Sequence, residues 1–447
     1  MSIRKEMLMK NTEFVGYCDL DSKMAFQMAM QKVEDRYYMY TSCYRHNGCN
    51  IIDVTDPANP QYLNWHEGPW FFDGVRDGQA TLKIQVADGL MITAHGALIS
   101  FLVGTDPDLP SWGGIIIWDV KTDPVHPKML GKFQTSGAPH GVHRFFYNGG
   151  RYVYLTACEE GFASYIFKII DIQDPCNPVE VSSWHSPRQT PAAEVKFGAH
   201  LAVPFVHAIT VKDDIAYLAY ANIGFVLLDV KDKANPKLLG EVPLNPPFSQ
   251  GASGAPVHTA MPLGDRPYAV VSTEGRRSRY FSGKTEEGIF RNIHTQAMDM
   301  MGVIEMVDVN NPKLISIFPY PEMPEGYTHG SNFNFVDGVR TAFGPHNLFD
   351  AFGPDVYKKI DNKVFCCYFH AGLRIYDVSD PFVPKEIAYF FPPDPETVHF
   401  DNKTGDLMPG APAALVEDVL VDDRGYIYLT TMHDGIYIVK YTGEDGL

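Results

Sequence analysis

Four of the chain's 16 histidines stand at one place in a recurring pattern. They close the tripeptides Gly141-Val142-His143, Phe205-Val206-His207, Pro256-Val257-His258 and Gly344-Pro345-His346, each leading into an apolar segment. Glu417, in Val416-Glu417-Asp418, takes the same place in a later copy, and Gln27 takes it in the first. The second copy has no convincing counterpart. Should these segments be neighbouring strands about one axis, four imidazoles face one another at one depth, an arrangement that suits a transition metal. His143, His207, His258 and His346 are therefore the candidate metal ligands. His140 lies three residues before His143 and leaves open which of the two belongs to the set.

A second group supports the first. His46, His95, Glu160, Asn222, Glu274, His370 and His433 each lie at or just before a turn glycine, where the following strand ends. They are expected one layer outside the histidines. Glu160 and Glu274 could accept the free N–H of a ligating imidazole and fix its tautomer, and with Glu417 they are the candidate catalytic carboxylates. A lone histidine at a strand start needs no more than a hydrogen bond to a neighbour, since buried polar groups find partners. Four at one register are harder to explain that way. His126, His185 and His200 read as solvent-side or loop residues.

The strands that carry these residues come from a repeat. Six times an apolar run meets an aspartate: Ile51-Ile52-Asp53-Val54, Ile117-Trp118-Asp119-Val120, Ile169-Ile170-Asp171-Ile172, Leu227-Leu228-Asp229-Val230, Met306-Val307-Asp308-Val309 and Ile375-Tyr376-Asp377-Val378. Most continue into Asp-Pro-x-x-Pro or a close variant, where Asp opens a turn and Pro fixes φ. One unit cannot bury both faces alone, so the copies must stack. The clearest copy runs from Val206 to Val242 and reads as four antiparallel strands, one propeller blade. The same register gives seven blades. The last, Leu415 to Tyr441, lacks its outermost strand, and Phe14-Val15-Gly16-Tyr17-Cys18 resembles it, so the termini are expected to close the ring. The repeat resembles that of the LVIVD-repeat β-propellers over nearly the whole chain. The expected fold is thus all-β, one seven-bladed β-propeller spanning 1–447. Insertions near 186–203, 276–301 and 319–344 exceed ordinary turns and are expected to cover one end of the channel, carrying His294 and His329. A short helix is expected over 289–301.

Bulk properties narrow the function. With 447 residues, 45% of them hydrophobic, the chain can bury a large core without disulfides. Its 7 cysteines have no metal-type spacing, which points to reduced thiols and a cytoplasmic setting. No apolar run reaches the length of a membrane span, and a formal charge of −17 opposes nucleic acid. The expected partner is a small-molecule substrate.

The four-histidine arrangement is similar, in geometry only, to that of the carotenoid cleavage oxygenases, propellers whose axial iron is held by four His with Glu behind them. That resemblance implies a divalent transition metal, Fe(II) favoured over Mn, Zn or Cu. It also implies oxygenase or related oxidoreductase chemistry on a small apolar or aromatic substrate. Two other readings stand beside it. One is a metal-assisted lyase or hydrolase using Mn or Zn as a Lewis acid; the other is a non-catalytic interaction platform, since fold does not fix function.

Overall fold

A computed structural model of the chain describes residues 4–43, 46–71, 80–96, 112–137, 140–194, 203–244, 257–274, 299–330, 333, 335–336, 339–340, 342–396 and 413–447. Seven antiparallel sheets follow one another in chain order as blades. Blade one is built from Met28–Val33, Arg36–Ser42, Gly48–Asp53 and Gln61–Glu67. Blade four, Phe205–Lys212, Ile215–Ala221, Gly224–Asp229 and Lys237–Pro243, sits where the clearest repeat predicts it. The innermost strands of blades two, three, five and seven are Ala80–Ala87, Val142–Phe146, Thr259–Pro262 and Val416–Val421. Packing between blades is apolar: Phe225 and Leu227 of blade four lie with Val257, Ala260, Ala269 and Val271 of blade five in one core cluster.

The repeat has a physical reason at each step. The strand-ending aspartate takes the amide two residues on, as Asp53 does from Thr55 (2.9 Å) and Asp229 from Lys231 (2.9 Å). The next aspartate closes the turn: Asp56 accepts from the Ala58 amide and the Asn59 side chain, and Asp174 repeats this with Cys176 and Asn177. That turn docks on the outer strand of the preceding blade. Asn64, Ser182 and Ser316 donate to the carbonyls of Val125, Lys233 and Pro381. Gly16, Gly131 and Gly240 occupy the same strand position in other blades, and a Cβ there would strike Pro57 O, Pro175 O and Val309 O. Six blades thus place a hydrogen-bond donor or no side chain where the neighbour's turn arrives, and blade six has Ala388 there.

One copy of the repeat shifts. The blade-five strand is Met301–Glu305, and Glu305 pairs with Tyr268 as Asp229 pairs with Ile215. The copy is therefore Val303-Ile304-Glu305-Met306, and Asp308 opens the following turn by accepting from the Asn310 amide. The apolar-Asp-Val spelling of Val307-Asp308-Val309 misleads because Val307 is 72% exposed, a turn residue rather than a strand residue.

Closure occurs at two adjacent blades. Thr12–Cys18 pairs antiparallel with Ile436–Tyr441 and supplies the outermost strand of blade seven. Leu8–Lys10 adds a strand outside Lys385–Phe391 of blade six. The innermost part of blade six is irregular: His346 N–H donates to Cys367 O, Cys367 N–H to Asn347 O, and Leu348 bridges Cys366. Cys366 and Cys367 lie in the strand Lys363–Cys367, and all seven cysteines are free thiols. Of the expected cover, 195–202, 275–298 and several residues between 331 and 341 lie outside the described residues, as do His200 and His294 and most of the expected helix. Met301, the last residue of that helix, is the first of a strand. Among the described residues no helix is long and apolar enough to cross a membrane.

Candidate metal centre

A recurring β-bulge turns one residue of the inner strand toward the axis. In blade three Val142 pairs with Ala157 and Arg144 with Thr156, which leaves His143 as the extra residue. In blades four and seven the extra residues are His207 and Glu417. Blade two has the same bulge at Leu82, so the copy without a chemical counterpart carries an apolar residue there. His258 and His346 enter their strands with amide bonds to Ser272 O and Cys367 O. His143 rather than His140 holds the register, since His140 is exposed on the turn before the strand.

The four rings form a continuous row. Centroids are 4.6 Å apart for His143 and His207, 4.2 Å for His207 and His258, and 4.7 Å for His258 and His346. Hydrogen bonds set three tautomers. His207 Nδ1–H donates to His258 O at 2.8 Å, and His346 Nδ1–H donates to Glu417 O at 2.9 Å. His258 Nε2 accepts from Arg144 at 3.1 Å, so its Nδ1–H donates to Thr259 Oγ1 at 2.9 Å. These three rings therefore carry their lone pair on Nε2; that of His258 accepts from Arg144 and that of His207 from His143, so an ion bound there would displace those donors. His143 Nε2 lies 2.9 Å from His207 Nε2 and is the donor of that pair. Two nitrogens at that spacing also match adjacent ligands of one ion: with bonds of about 2.1 Å they subtend roughly 90°. Burial, then His207 and the charges of Lys83 and Arg144, holds His143 well below the usual imidazole value, and burial does the same to His258.

Three donors converge most closely. One ligand atom each of His207, His258 and Glu274 lies within 4.8 Å of the other two, the one such group among the described residues. Glu274, expected a layer out, thus reaches the histidines. His143 adjoins the group through His207, and His346 through His258. Glu417 is fully buried and places its carboxylate 3.2 Å from His346 Nδ1, where it holds that ring. Glu160 stays apart: it is exposed at its turn, its amide bonded to Ser136.

Arg144, Lys83 and Asn347 escape the tripeptide pattern. The guanidinium of Arg144 donates to Asn347 Oδ1 as well as His258, crossing from blade three to blades five and six. Lys83 is 1% exposed, its ammonium 3.4 Å from the Phe26 ring centroid. A charge inside an otherwise apolar strand is the signal that finds both. His329, expected on the cover, has buried partners. It is buried, with Nε2 2.6 Å from Asp394 Oδ2, and the same carboxylate accepts the Arg4 amide at 2.7 Å. Beside it Tyr327 donates to His370 Nε2 at 2.7 Å, and burial lowers His370 to about 3.

Fold and row together define a seven-bladed β-propeller with histidines at its axis. Residues 206–243, the fourth blade, match the family model described as the LVIVD repeat. No curated protein matches it in sequence. Among solved structures it is similar to the β-propeller domain of Cps50 (Swd1) from Myceliophteria thermophila, at 10% identity and TM-score 0.52, over 96% of this chain and 99% of that one. It is also similar to a chain of the mitotic checkpoint complex, at 8% identity and TM-score 0.50, over 96% and 94%. At such identities the likeness shows the fold alone.

Proposed function

We propose that the chain is a metal-dependent enzyme whose axial site takes a divalent transition metal, Fe(II) before Mn, Zn or Cu, for oxygenase or related oxidoreductase chemistry on a small substrate. The observation that carries this is the close grouping of His207, His258 and Glu274. Two histidines and one carboxylate with further positions open is the donor set of non-haem Fe(II) oxygenases. His346, oriented by Glu417, would add a further ligand, and His143 another once its proton passes from Nε2 to Nδ1. Such a metal supplies open positions for dioxygen and substrate, while the buried rings keep water from competing. The aromatic side chains flanking the row, Tyr165, Phe205 and Phe369, suit an apolar or aromatic substrate.

The test is elemental analysis of protein purified without a histidine tag or added metal. Near one equivalent of iron, lost in His207→Ala and His258→Ala while the circular dichroism is kept, is the expected result. Manganese or zinc at that level favours the lyase or hydrolase reading instead. No metal, and no uptake on titration, leaves the row as hydrogen bonding between blades and returns the interaction platform.

A further inference from the structure

One side chain already occupies the coordinating atom of a candidate ligand. Arg144 Nη2 donates to His258 Nε2 at 3.1 Å, and the same nitrogen donates to Asn347 Oδ1. His258 spends its Nδ1–H on Thr259, so Nε2 carries the one lone pair of the ring. An ion held by His207, His258 and Glu274 must use that lone pair. The obstacle at His207 is lighter. Its Nε2 faces His143, a neutral ring that clears the lone pair by moving its proton to the other nitrogen. A guanidinium stays charged and has no such shift. It has to move, and a divalent ion repels it strongly where water is excluded.

The site supplies both room and a second seat. Arg144 is half-buried, although His258, Asn347 and Asp418 around it are buried, so free volume borders the guanidinium. Asp418 lies on the inner strand of blade seven, and the charges of Lys83 and Arg144 both act on its carboxylate. The Met28 amide donates to Asp418 Oδ2 at 2.8 Å and fixes that carboxylate in place. The guanidinium therefore stands between a neutral nitrogen it now holds and an anchored anion. Pairing with a carboxylate is the stronger of the two contacts.

Resting on the metal reading above and deepening it, we propose that Arg144 is a latch on the metal site: it holds His258 Nε2 while no metal is bound and withdraws toward Asp418 when one is. In the metal-free protein the latch keeps a buried lone pair satisfied. A guanidinium that merely oriented His258 would act in the opposite sense, since losing an outer partner weakens metal binding about 10–100-fold. The sign of one substitution separates the two roles.

The test measures the affinity of the full chain for Zn(II) and, without oxygen, for Fe(II), by competition with a chromogenic chelator. Arg144→Met removes the charge and the donor and is expected to bind metal at least about ten-fold more tightly than the parent, the scale of one charged hydrogen bond. It is also expected to lower the melting temperature of the chelator-treated protein more than that of the metal-loaded protein. Arg144→Lys keeps a cation of shorter reach and is expected to fall between, and it serves where Arg144→Met does not fold. Asp418→Asn is expected to weaken metal binding in the parent and much less in the Arg144→Met background, because the displaced guanidinium is what uses that seat. Weaker or unchanged metal affinity in folded Arg144 variants, or an Asp418→Asn effect of equal size in both backgrounds, overturns the latch and leaves the metal reading standing. Metal bound by Arg144→Met alone upholds both. No metal bound by either the parent or Arg144→Met removes the metal reading, and the latch with it.

Discussion

Glu274 and Glu160 hold equivalent turn positions in blades five and three, yet only Glu274 comes within ligand distance of the histidines. The two are therefore a matched pair for testing. Glu274→Gln is expected to weaken metal binding by more than the roughly 10–100-fold that loss of an outer partner costs, and Glu160→Gln to leave it unchanged, both read by competition with a chromogenic chelator. Equal effects would show that Glu274 acts only through general charge. Glu417→Gln belongs between them. It keeps the backbone carbonyl that accepts from His346 and removes the charge 3.2 Å away, so a loss within that 10–100-fold range is expected. The histidine row was legible in the sequence because a bulge repeats at one register and leaves a repeated tripeptide. The direction of Glu274 was not, since strand register gives the level of a residue and not where its side chain reaches. Arg144 and Lys83 escape the pattern for a related reason: each stands one residue past the aligned position.

At the scale of the element, the joints between blades decide which residues the repeat tolerates. Gly240 lies where the Asp308 turn of blade five docks, and Gly16 where the Asp56 turn of blade one docks. Gly240→Val and Gly16→Val force a side chain against backbone carbonyls and are each expected to cost about 1–3 kcal/mol, as overpacking does. Ser182→Ala removes only the bond to Lys233 O and is expected to cost about 1 kcal/mol. Urea denaturation orders the three variants; a glycine variant as stable as the parent would mean that the joint yields without cost. These joints also explain what the sequence revealed of the fold. Apolar strands recur in every copy and an Asp-Pro turn or a close variant follows in six, so blade number and closure by Phe14-Val15-Gly16-Tyr17-Cys18 could be read directly. The apolar-Asp spelling points three residues too far along in blade five, because its strand ends in Glu305 instead of aspartate. The irregular inner segment of blade six left no alternation to read, and the strand Leu8–Lys10 is too short to announce itself.

For the molecule as a whole, the same turn chemistry is repeated around the ring and sets its response to acid. Hydrogen bonds from Asn59, Asn177 and Asn235 hold Asp56, Asp174 and Asp232 below the ordinary carboxylate value, and Thr122 and Arg151 do so for Asp119 and Asp171. A carboxylate whose folded value lies below its unfolded one stabilises the fold above the unfolded value, and that contribution disappears as pH falls through the folded one. The window therefore opens near 3.8 and extends downward. Burial acts oppositely on Asp350 and Asp418, each raised to about 6, so their ionisation costs stability as pH climbs from 3.8 through 6. Burial lowers His143, His258, His95 and His370, which adds stability as pH rises toward 6.5 and outweighs those two costs. Melting temperature is thus expected to collapse in strong acid and climb to a maximum near neutral pH. Replacing Asp56, Asp174 and Asp232 by Asn together is expected to lower the melting temperature at neutral pH and flatten the acid limb, because the charge that those hydrogen bonds favour is gone. Asp350→Asn is expected to steepen the climb between pH 3.8 and 6 alone. Scanning calorimetry at a series of pH values separates the two, and an acid limb that stays parallel to the parent's in the triple variant would place the acid sensitivity outside the turns.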